Sequence, residues 1–324
     1  MKPPRNPGRF KVGWDHGWDS GVRIYDSDDL LGLLEEPLSH PDLREAFIDA
    51  FEHEWCQRGP YRLEHWHMLK LSWERFAHLV RSRHRYLFLL DQGTDDDELV
   101  SPARMLEAVA QAIHNTPWRM LRRVPAGTPL FRARAHNEAE KPARAVDLGS
   151  PPPASARPNR MSPAGISMFY GAEDAGLAEA EVRAGPGDVV TSGRWTTTRD
   201  LWCLDLRLAE PIPSLFDMTA RSSRPWLRFL AHFAVDLSKP ASAVTAEVDY
   251  VPTQIVTEYV RDVLRTPSGE AVAAVAYTSA VQPDKTCWVV FAGPEECVDD
   301  EERHGRALLR LDRSTVIRGA PPTS

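Results

Sequence analysis

Apolar side chains recur every three or four residues through the first third of the chain, which is the spacing of one face of an α-helix. The repeated positions between residues 29 and 90 are Leu43, Phe47, Phe51, Trp55, Trp66, Leu69, Trp73, Phe76 and Val80. A polar, acidic stretch at 91–98 interrupts the pattern, and Ser101 and Pro102 then open a further helix that extends to about His114. The pattern predicts an all-helical N-terminal domain of residues 1–121.

The pattern changes beyond about residue 122, where strand-like and helix-like segments are mixed. The predicted strands are 130–135, 166–170, 189–198, 201–208, 272–277 and 286–291, and the predicted helices are 174–183, 226–237 and 252–264. A proline-rich stretch at 149–158 is too irregular for either. Because strands and helices do not alternate strictly, residues 122–324 are expected to form an α+β domain and not a doubly wound sheet.

Composition and charge narrow the class of protein. A length of 324 residues with 42% hydrophobic side chains is enough for two globular domains. The net charge of -7 disfavours non-specific binding to a polyanion but allows a small anionic ligand held by a few arginines. Four widely spaced cysteines indicate neither a disulfide framework nor a zinc site. With no apolar run of about 18 residues, we expect a cytoplasmic protein without an export signal or membrane span.

Three arginines are candidates for binding an anion. Arg132 and Arg134 lie two residues apart in a predicted strand, so they project from the same face and could meet one anion. Arg160 lies in the loop before the predicted strand at 166–170. The commoner role for such residues is a solvated arginine that pairs with a neighbouring carboxylate.

Two glutamates and one serine are candidates for catalysis. Glu179 and Glu181 lie on one predicted helix, and because positions two apart differ by about 200° around a helix, only one of them can face a given cleft. Ser279 follows a predicted strand, where serine is common because it suits turns. No nucleophile elbow surrounds it and no histidine has a suitable spacing, so we do not interpret Ser279 as the nucleophile of a hydrolase triad.

Taken in order, these segments resemble the RES-domain family, which is named for Arg, Glu and Ser and whose members are NAD+-consuming toxins of bacterial toxin-antitoxin pairs. The resemblance is carried by Leu-Phe-Arg-Ala-Arg at 130–134, Arg-Met-Ser-Pro-Ala-Gly-Ile-Ser-Met-Phe-Tyr-Gly-Ala at 160–172, Ala-Glu-Ala-Glu-Val-Arg at 178–183, Tyr-Val-Pro-Thr-Gln at 250–254, Ala-Tyr-Thr-Ser at 276–279 and Val-Val-Phe at 289–291. It implies a fold similar to ADP-ribosyltransferase toxins, in which a cleft between two small sheets holds the dinucleotide.

The resemblance also implies roles for individual residues. Arg132 corresponds to the arginine of the family's first strand, Glu181 to the glutamate before Val-Arg, and Ser279 to the late serine; these would be catalytic. Tyr170 corresponds to the aromatic residue before the helix and would help to bind the substrate. Because Glu179 precedes Glu181 by two positions, the choice of acid between them stays open.

Arginine is the residue type that best suits a pyrophosphate, because its planar fork makes two parallel charge-assisted hydrogen bonds. Arg132 or Arg160 is therefore the expected anchor of the dinucleotide, and Arg134 could share the same anion. The implied reaction is cleavage of the nicotinamide–ribose bond, which needs no acid for the leaving group because nicotinamide departs neutral. Glu181 would stabilise the positive charge that develops on the ribose.

The attacking group is not decided by these residues. Water would give an NAD+ glycohydrolase, phosphate a phosphorylase, and a protein side chain an ADP-ribosyltransferase. We favour NAD+ degradation, with protein ADP-ribosylation as the alternative and a nucleotide-sensing interaction module without turnover as an alternative of another class. NAD+ would be the substrate, and neither a cofactor nor a metal is implied.

The N-terminal region is similar to the helical domain often found ahead of RES domains and grouped with the HEPN superfamily, some of whose members are ribonucleases. Arg62 with His67, and Arg58 with His65, have the spacing of the ribonuclease motif. The neighbouring tryptophans favour helix packing instead, so RNA cleavage and nucleic-acid binding are not expected. The resemblance further implies an antitoxin protein as partner and a homodimer.

Overall fold

The computed structural model describes residues 10–15, 18–32, 40–50, 55–56, 64–91, 99–116, 120–182, 184–207, 212–214, 217, 219–239, 245–300 and 305–319. Contacts divide the chain into two units, Met1–Glu64 and His65–Ser324, and each is described by itself. This division differs from the predicted boundary between residues 121 and 122, because helices that precede the boundary pack with the C-terminal sheet.

The first unit combines a three-stranded sheet with helices. Its described elements are β1 (Phe10–Asp15), β2 (Trp18–Tyr25), α1 (Ser27–Gly32), α2 (Pro41–Ala50) and β3 (Trp55–Cys56). Strand β2 lies between the other two strands and is antiparallel to both.

The prediction of an all-helical N-terminal domain is therefore wrong. Leu43 and Phe47 do lie on a helix, whereas Trp55 of the same apolar series lies on strand β3. Apolar residues at 10, 12 and 14 alternate with polar or small ones, which is the period of two of a β-strand. Residue 51 lies outside the described residues.

The second unit is built around one large sheet. Its strands are β4 (Leu121–Val124), β5 (Pro129–His136), β6 (Phe169–Ala172), β7 (Val189–Thr197), β8 (Leu201–Asp205), β9 (Ala274–Thr278), β10 (Thr286–Val290), β11 (Cys297–Asp299) and β12 (Leu309–Gly319). Its helices are α3 (His65–Ser82), α4 (Met105–His114), α5 (Ala145–Leu148), α6 (Ala175–Glu181), α7 (Arg224–Ser238), α8 (Ala246–Asp249) and α9 (Val251–Asp262). The α+β class is confirmed, and so are the predicted strands and helices between residues 129 and 290, with small shifts of their ends.

The strands form one mixed sheet in the order β11-β12-β7-β5-β6-β10-β9-β8-β4. Strands β5 and β6 are joined by a single residue pair, Phe131 with Ala172, and they separate beyond it. The expectation of two small sheets is thus corrected: the described strands of the second unit form two halves of one sheet, linked at a narrow junction. The junction matters because two of the candidate site residues, Arg132 and Tyr170, lie directly beside it.

Helices cover one face of this sheet and form the larger hydrophobic core. Its largest fully buried side chains include Trp73 of α3, Met105 of α4, and Phe229 and Phe233 of α7. The Trp73 indole Nε1 donates to Asp236 Oδ2 of α7 at 2.8 Å. A smaller core on the opposite face surrounds Trp195 and the short helix α5. Helix α3 therefore belongs to the packing of the second unit.

Replacing Trp73 with Phe is expected to lower the free energy of unfolding by about 1–3 kcal/mol, because the half-buried Asp236 carboxylate loses a donor. Urea denaturation of both proteins measures the difference. Trp195→Phe is the matched control, because its indole is also fully buried and its Nε1 has no hydrogen-bond partner among the described residues. Equal losses in the two variants would show that ring volume matters and the hydrogen bond does not.

Candidate functional site

The carboxylate of Glu181, at the C-terminal end of α6, is the centre of a cluster of polar side chains. Its Oε1 accepts a hydrogen bond from Ser279 Oγ at 2.5 Å and another from Cys287 Sγ at 3.3 Å. The helix is anchored at its other end by Asp174, whose Oδ1 accepts from the Leu177 amide at 2.8 Å. Glu181 itself is exposed, so its carboxylate is accessible from solvent.

Ser279 is buried and its hydroxyl has three hydrogen bonds. The Oγ accepts from the amides of Val281 and Gln282, each at 3.0 Å, and donates to Glu181. A hydroxyl has one proton and two lone pairs, so these contacts use its full capacity. Ser279 is therefore placed to hold the acid.

Tyr170 stands on β6, and its hydroxyl closes the loop that precedes the strand. Its Oη lies 2.8 Å from Ser162 Oγ and accepts from the Met161 amide at 3.3 Å. Burial raises the pKa of Tyr170 to about 12, so the phenol is neutral at physiological pH. The Gln254 amide on α9 donates to the Asn159 carbonyl at 2.8 Å and thereby fixes the same loop.

Tyr277 and Cys287 are site residues that sequence reasoning missed. They face each other across β9 and β10, so both side chains lie on the face that carries Ser279. Burial and then the Glu181 charge raise the pKa of Cys287 to about 12. Burial also raises the pKa of Tyr277, with further contributions from the nearby Cys287, Tyr170 and Glu181. The spacing of two residues between Tyr277 and Ser279 could have placed Tyr277 on the same face as Ser279. The position of Cys287 could not be found in this way, because it depends on the register between β9 and β10.

Arg132 touches the cluster through the backbone and not through the acid. Its Nη1 donates to the Tyr170 carbonyl at 2.8 Å, and its guanidinium lies 5.1 Å from the centre of the Phe169 ring. Burial lowers its pKa, and its Nε is buried without a hydrogen-bond partner among the described residues. Arg132 thus occupies the junction where β5 and β6 separate, and it makes no described contact with Glu181.

The other two arginines have different positions. Arg160 Nη1 donates to the carbonyls of Leu237 and Lys239 at 2.9 and 2.6 Å, which places its charge at the C-terminal end of α7. Arg160 borders the cluster, because Ser162, two residues further along the same loop, contacts the Tyr170 hydroxyl. The positive charge of Arg160 opposes the rise in the pKa of Tyr170. Arg134 lies outside it and pairs with Glu140 Oε2 at 3.1 Å.

The two glutamates of α6 are separated by their partners. Glu179 Oε1 accepts from Ser192 Oγ of β7 at 2.7 Å, whereas Glu181 accepts from Ser279. The structure therefore brings Glu181, Ser279 and Tyr170 to one cluster, with Arg160 at its border. The Arg132 side chain lies over Phe169, which belongs to the smaller core on the opposite face of the sheet. Glu179 is directed to a different strand.

A separate cavity of about 510 Å³ is lined by residues that include Arg144, Cys297, Asp299 and Arg306. It contains none of the predicted site residues, so the candidate site is defined by the Glu181 cluster and not by this cavity. In the described part of the chain, no group of three or more His, Cys, Asp or Glu side chains could hold a metal ion.

The sequence also raised the questions of a membrane span and of a ribonuclease motif in the N-terminal region. No helix within the described ranges is long and apolar enough to cross a lipid bilayer. His65 and His67 begin α3, but their proposed ribonuclease partners, Arg58 and Arg62, lie outside the described residues.

Comparison with family models identifies the family of the chain. The model of the RES domain matches residues 129–312, and the model of HEPN/RES N-terminal domain 1 matches residues 11–95. The first match spans more than half of the 324 residues, so the chain belongs to the RES domain family. No curated protein and no solved structure matches the chain. Family membership implies an NAD-related function associated with toxin-antitoxin systems.

The raised pKa of Tyr170 predicts a pH-dependent contribution to stability. Its folded pKa of about 12 exceeds the ordinary value of 10.0, so the contribution is present below pH 10 and is lost as pH rises toward 12. Between pH 10 and pH 12, the free energy of unfolding of Tyr170→Phe should therefore fall by roughly 1–2 kcal/mol less than that of the wild type. Denaturation at several alkaline pH values measures this, with Tyr86→Phe, an 80% exposed tyrosine, as control. An unchanged slope would contradict the burial of the Tyr170 phenol.

Proposed function

We propose that this chain degrades NAD+ by cleaving the bond between nicotinamide and ribose, as the toxin of a toxin-antitoxin or defence system. The observation that carries the proposal is the accessible Glu181 carboxylate, oriented by buried Ser279 within a RES domain. A sensor of dinucleotides gains little from a carboxylate near its phosphates, whereas cleavage of the ribose bond benefits from one.

The chemistry follows from where the charge develops. As the bond breaks, its electron pair moves to the pyridinium nitrogen, and the ribose carbon becomes positive. The ionised Glu181 would stabilise this carbon, with an effect on the order of 3–4 kcal/mol for a preorganised electrostatic contact. Tyr170, kept neutral by its surroundings, offers an aromatic face to the nicotinamide or the ribose. Water or phosphate would then attack the ribose carbon.

The opening between β5 and β6 supports a likeness to ADP-ribosyltransferases, since a dinucleotide would lie in a cleft between the two halves of the sheet. Arg132 is a candidate anchor for the pyrophosphate because it lies at this opening, although its Nε is buried and its guanidinium lies over Phe169. Arg160 is also a candidate, although two carbonyls already engage its Nη1. Arg134 has less support because Glu140 pairs with its guanidinium.

NAD+ is thus the proposed substrate, and the mechanism uses no further cofactor or metal. Toxins of such pairs are neutralised by a second protein, so an antitoxin is the expected partner. The proposal places the enzyme in the cytoplasm, where NAD+ is found, and includes a homodimer, which rests on the family alone.

The decisive comparison is Glu181→Gln against Glu179→Gln. NAD+ loss and nicotinamide release should fall roughly 100- to 1,000-fold in Glu181→Gln, because the neutral amide cannot stabilise the ribose cation. Glu179→Gln is a matched control: it makes the same chemical change two positions away on a helix face that contacts Ser192. Its turnover should stay within a few-fold of the wild type.

The products separate the possible acceptors. ADP-ribose without added phosphate indicates a glycohydrolase, a phosphorylated ADP-ribose that requires phosphate indicates a phosphorylase, and label retained on protein indicates an ADP-ribosyltransferase. Binding of NAD+ with no turnover under any of these conditions would contradict the proposal and favour a sensor. Equal activity of the two glutamine variants would show that Glu181 is not the acid.

A further inference from the structure

The two oxygens of the Glu181 carboxylate have different surroundings. Oε1 accepts hydrogen bonds from both Ser279 and Cys287. Oε2 has no hydrogen-bond partner among the described residues, and Glu181 as a whole is exposed. One oxygen is thus fixed by the protein and the other is accessible to a ligand.

We propose that Cys287 is a positioning residue, which fixes Oε1 of Glu181 together with Ser279. The other carboxylate oxygen, Oε2, then contacts the ribose of the substrate. This inference rests on the proposed function, since it names the oxygen that would face the ribose. The thiol itself is not expected to touch the substrate.

The geometry of the strands supports a fixed thiol. Cys287 is 3% exposed and lies on β10, which is paired on both sides, with β6 and with β9. Its sulfur therefore cannot shift without moving the centre of the sheet. Ser279 belongs to the turn that follows β9, so the two donors approach the same oxygen from neighbouring strands.

The protonation state of Cys287 supports a donor role. Burial and the neighbouring Glu181 charge raise the pKa of the thiol to about 12, so it keeps its proton near neutral pH. A thiolate would repel the carboxylate, whereas a neutral S–H group can donate to it. Since S–H is a weak donor, its contribution should be smaller than that of the Ser279 hydroxyl.

The other described cysteines do not share this arrangement. Cys203 lies beside the carbonyl of Leu204, and Cys297 lies 3.5 Å from Ser150 Oγ. Both belong to the smaller core on the opposite face of the sheet. Cys203 is fully buried in a strand of the same sheet, so Cys203→Ala provides a matched control for the removal of a buried thiol.

Steady-state kinetics of NAD+ consumption test the positioning role. Cys287→Ala should lower kcat roughly three- to tenfold and change KM less than about twofold, because a weak donor to a charged group is lost. Cys287→Ser should restore most of the activity, and Ser279→Ala should lower kcat more than Cys287→Ala does. Cys203→Ala should retain the wild-type kcat. Equal kcat in Cys287→Ala and the wild type, with both proteins folded by thermal melting, would overturn the proposal.

Infrared spectroscopy of the S–H stretch tests the contact without relying on turnover. The Cys287 band, identified by subtracting the spectrum of Cys287→Ala, should shift when Glu181 is protonated and should lose this shift in Glu181→Gln. A band that does not respond to either change would overturn the thiol–carboxylate contact, even in an active enzyme. A responsive band in a protein that leaves NAD+ intact would confirm the contact but overturn the proposed function, and with it the role assigned to Oε2.

Discussion

The hydrogen bond between Ser279 and Glu181 is the constraint on which the candidate site depends. Two backbone amides occupy the acceptor capacity of the Ser279 hydroxyl, so its proton can only be directed at the carboxylate. Ser279 is buried, while Glu181 is exposed. A buried, saturated donor thus orients an acid that remains open to solvent, which is the arrangement that preorganised electrostatic catalysis needs.

The helical layer supports the same site from a distance. Asp236 of helix α7 accepts a hydrogen bond from the Trp73 indole. The backbone carbonyls at the C-terminal end of the same helix accept hydrogen bonds from the Arg160 guanidinium. Arg160 begins the loop whose Ser162 binds the Tyr170 hydroxyl. Packing of α3 against α7 is therefore connected, through two hydrogen-bonded steps, to the position of Tyr170. Helices α3 and α4 share the larger hydrophobic core with α7 and the sheet, which is why they belong to the unit that carries the site.

Much of the C-terminal fold could be predicted because its elements have strong local patterns. Asp174 caps the N-terminus of α6, which is a common role of aspartate before a helix. The strand that contains Arg132 lies where the sequence pattern predicts it. The first unit was misread because a helical spacing that included Trp55 concealed a strand. Arg134 pairs with the nearby Glu140, which is the commoner role expected for such an arginine. The position of Cys287 beside Glu181 could not be predicted, since it depends on a contact between segments distant in sequence.

The pair of glutamates on α6 shows what the sequence alone cannot predict. Helical geometry required that Glu179 and Glu181 face different ways, but it could not say which way either one faced. The sheet decides this, because Ser192 on β7 and Ser279 after β9 lie on opposite sides of the helix and each binds one carboxylate. Glu179 thereby ties α6 to the half of the sheet that contains β5 and β7. Glu181 is left to the half that contains β9 and β10, so the short helix bridges the junction beside which the substrate is proposed to bind.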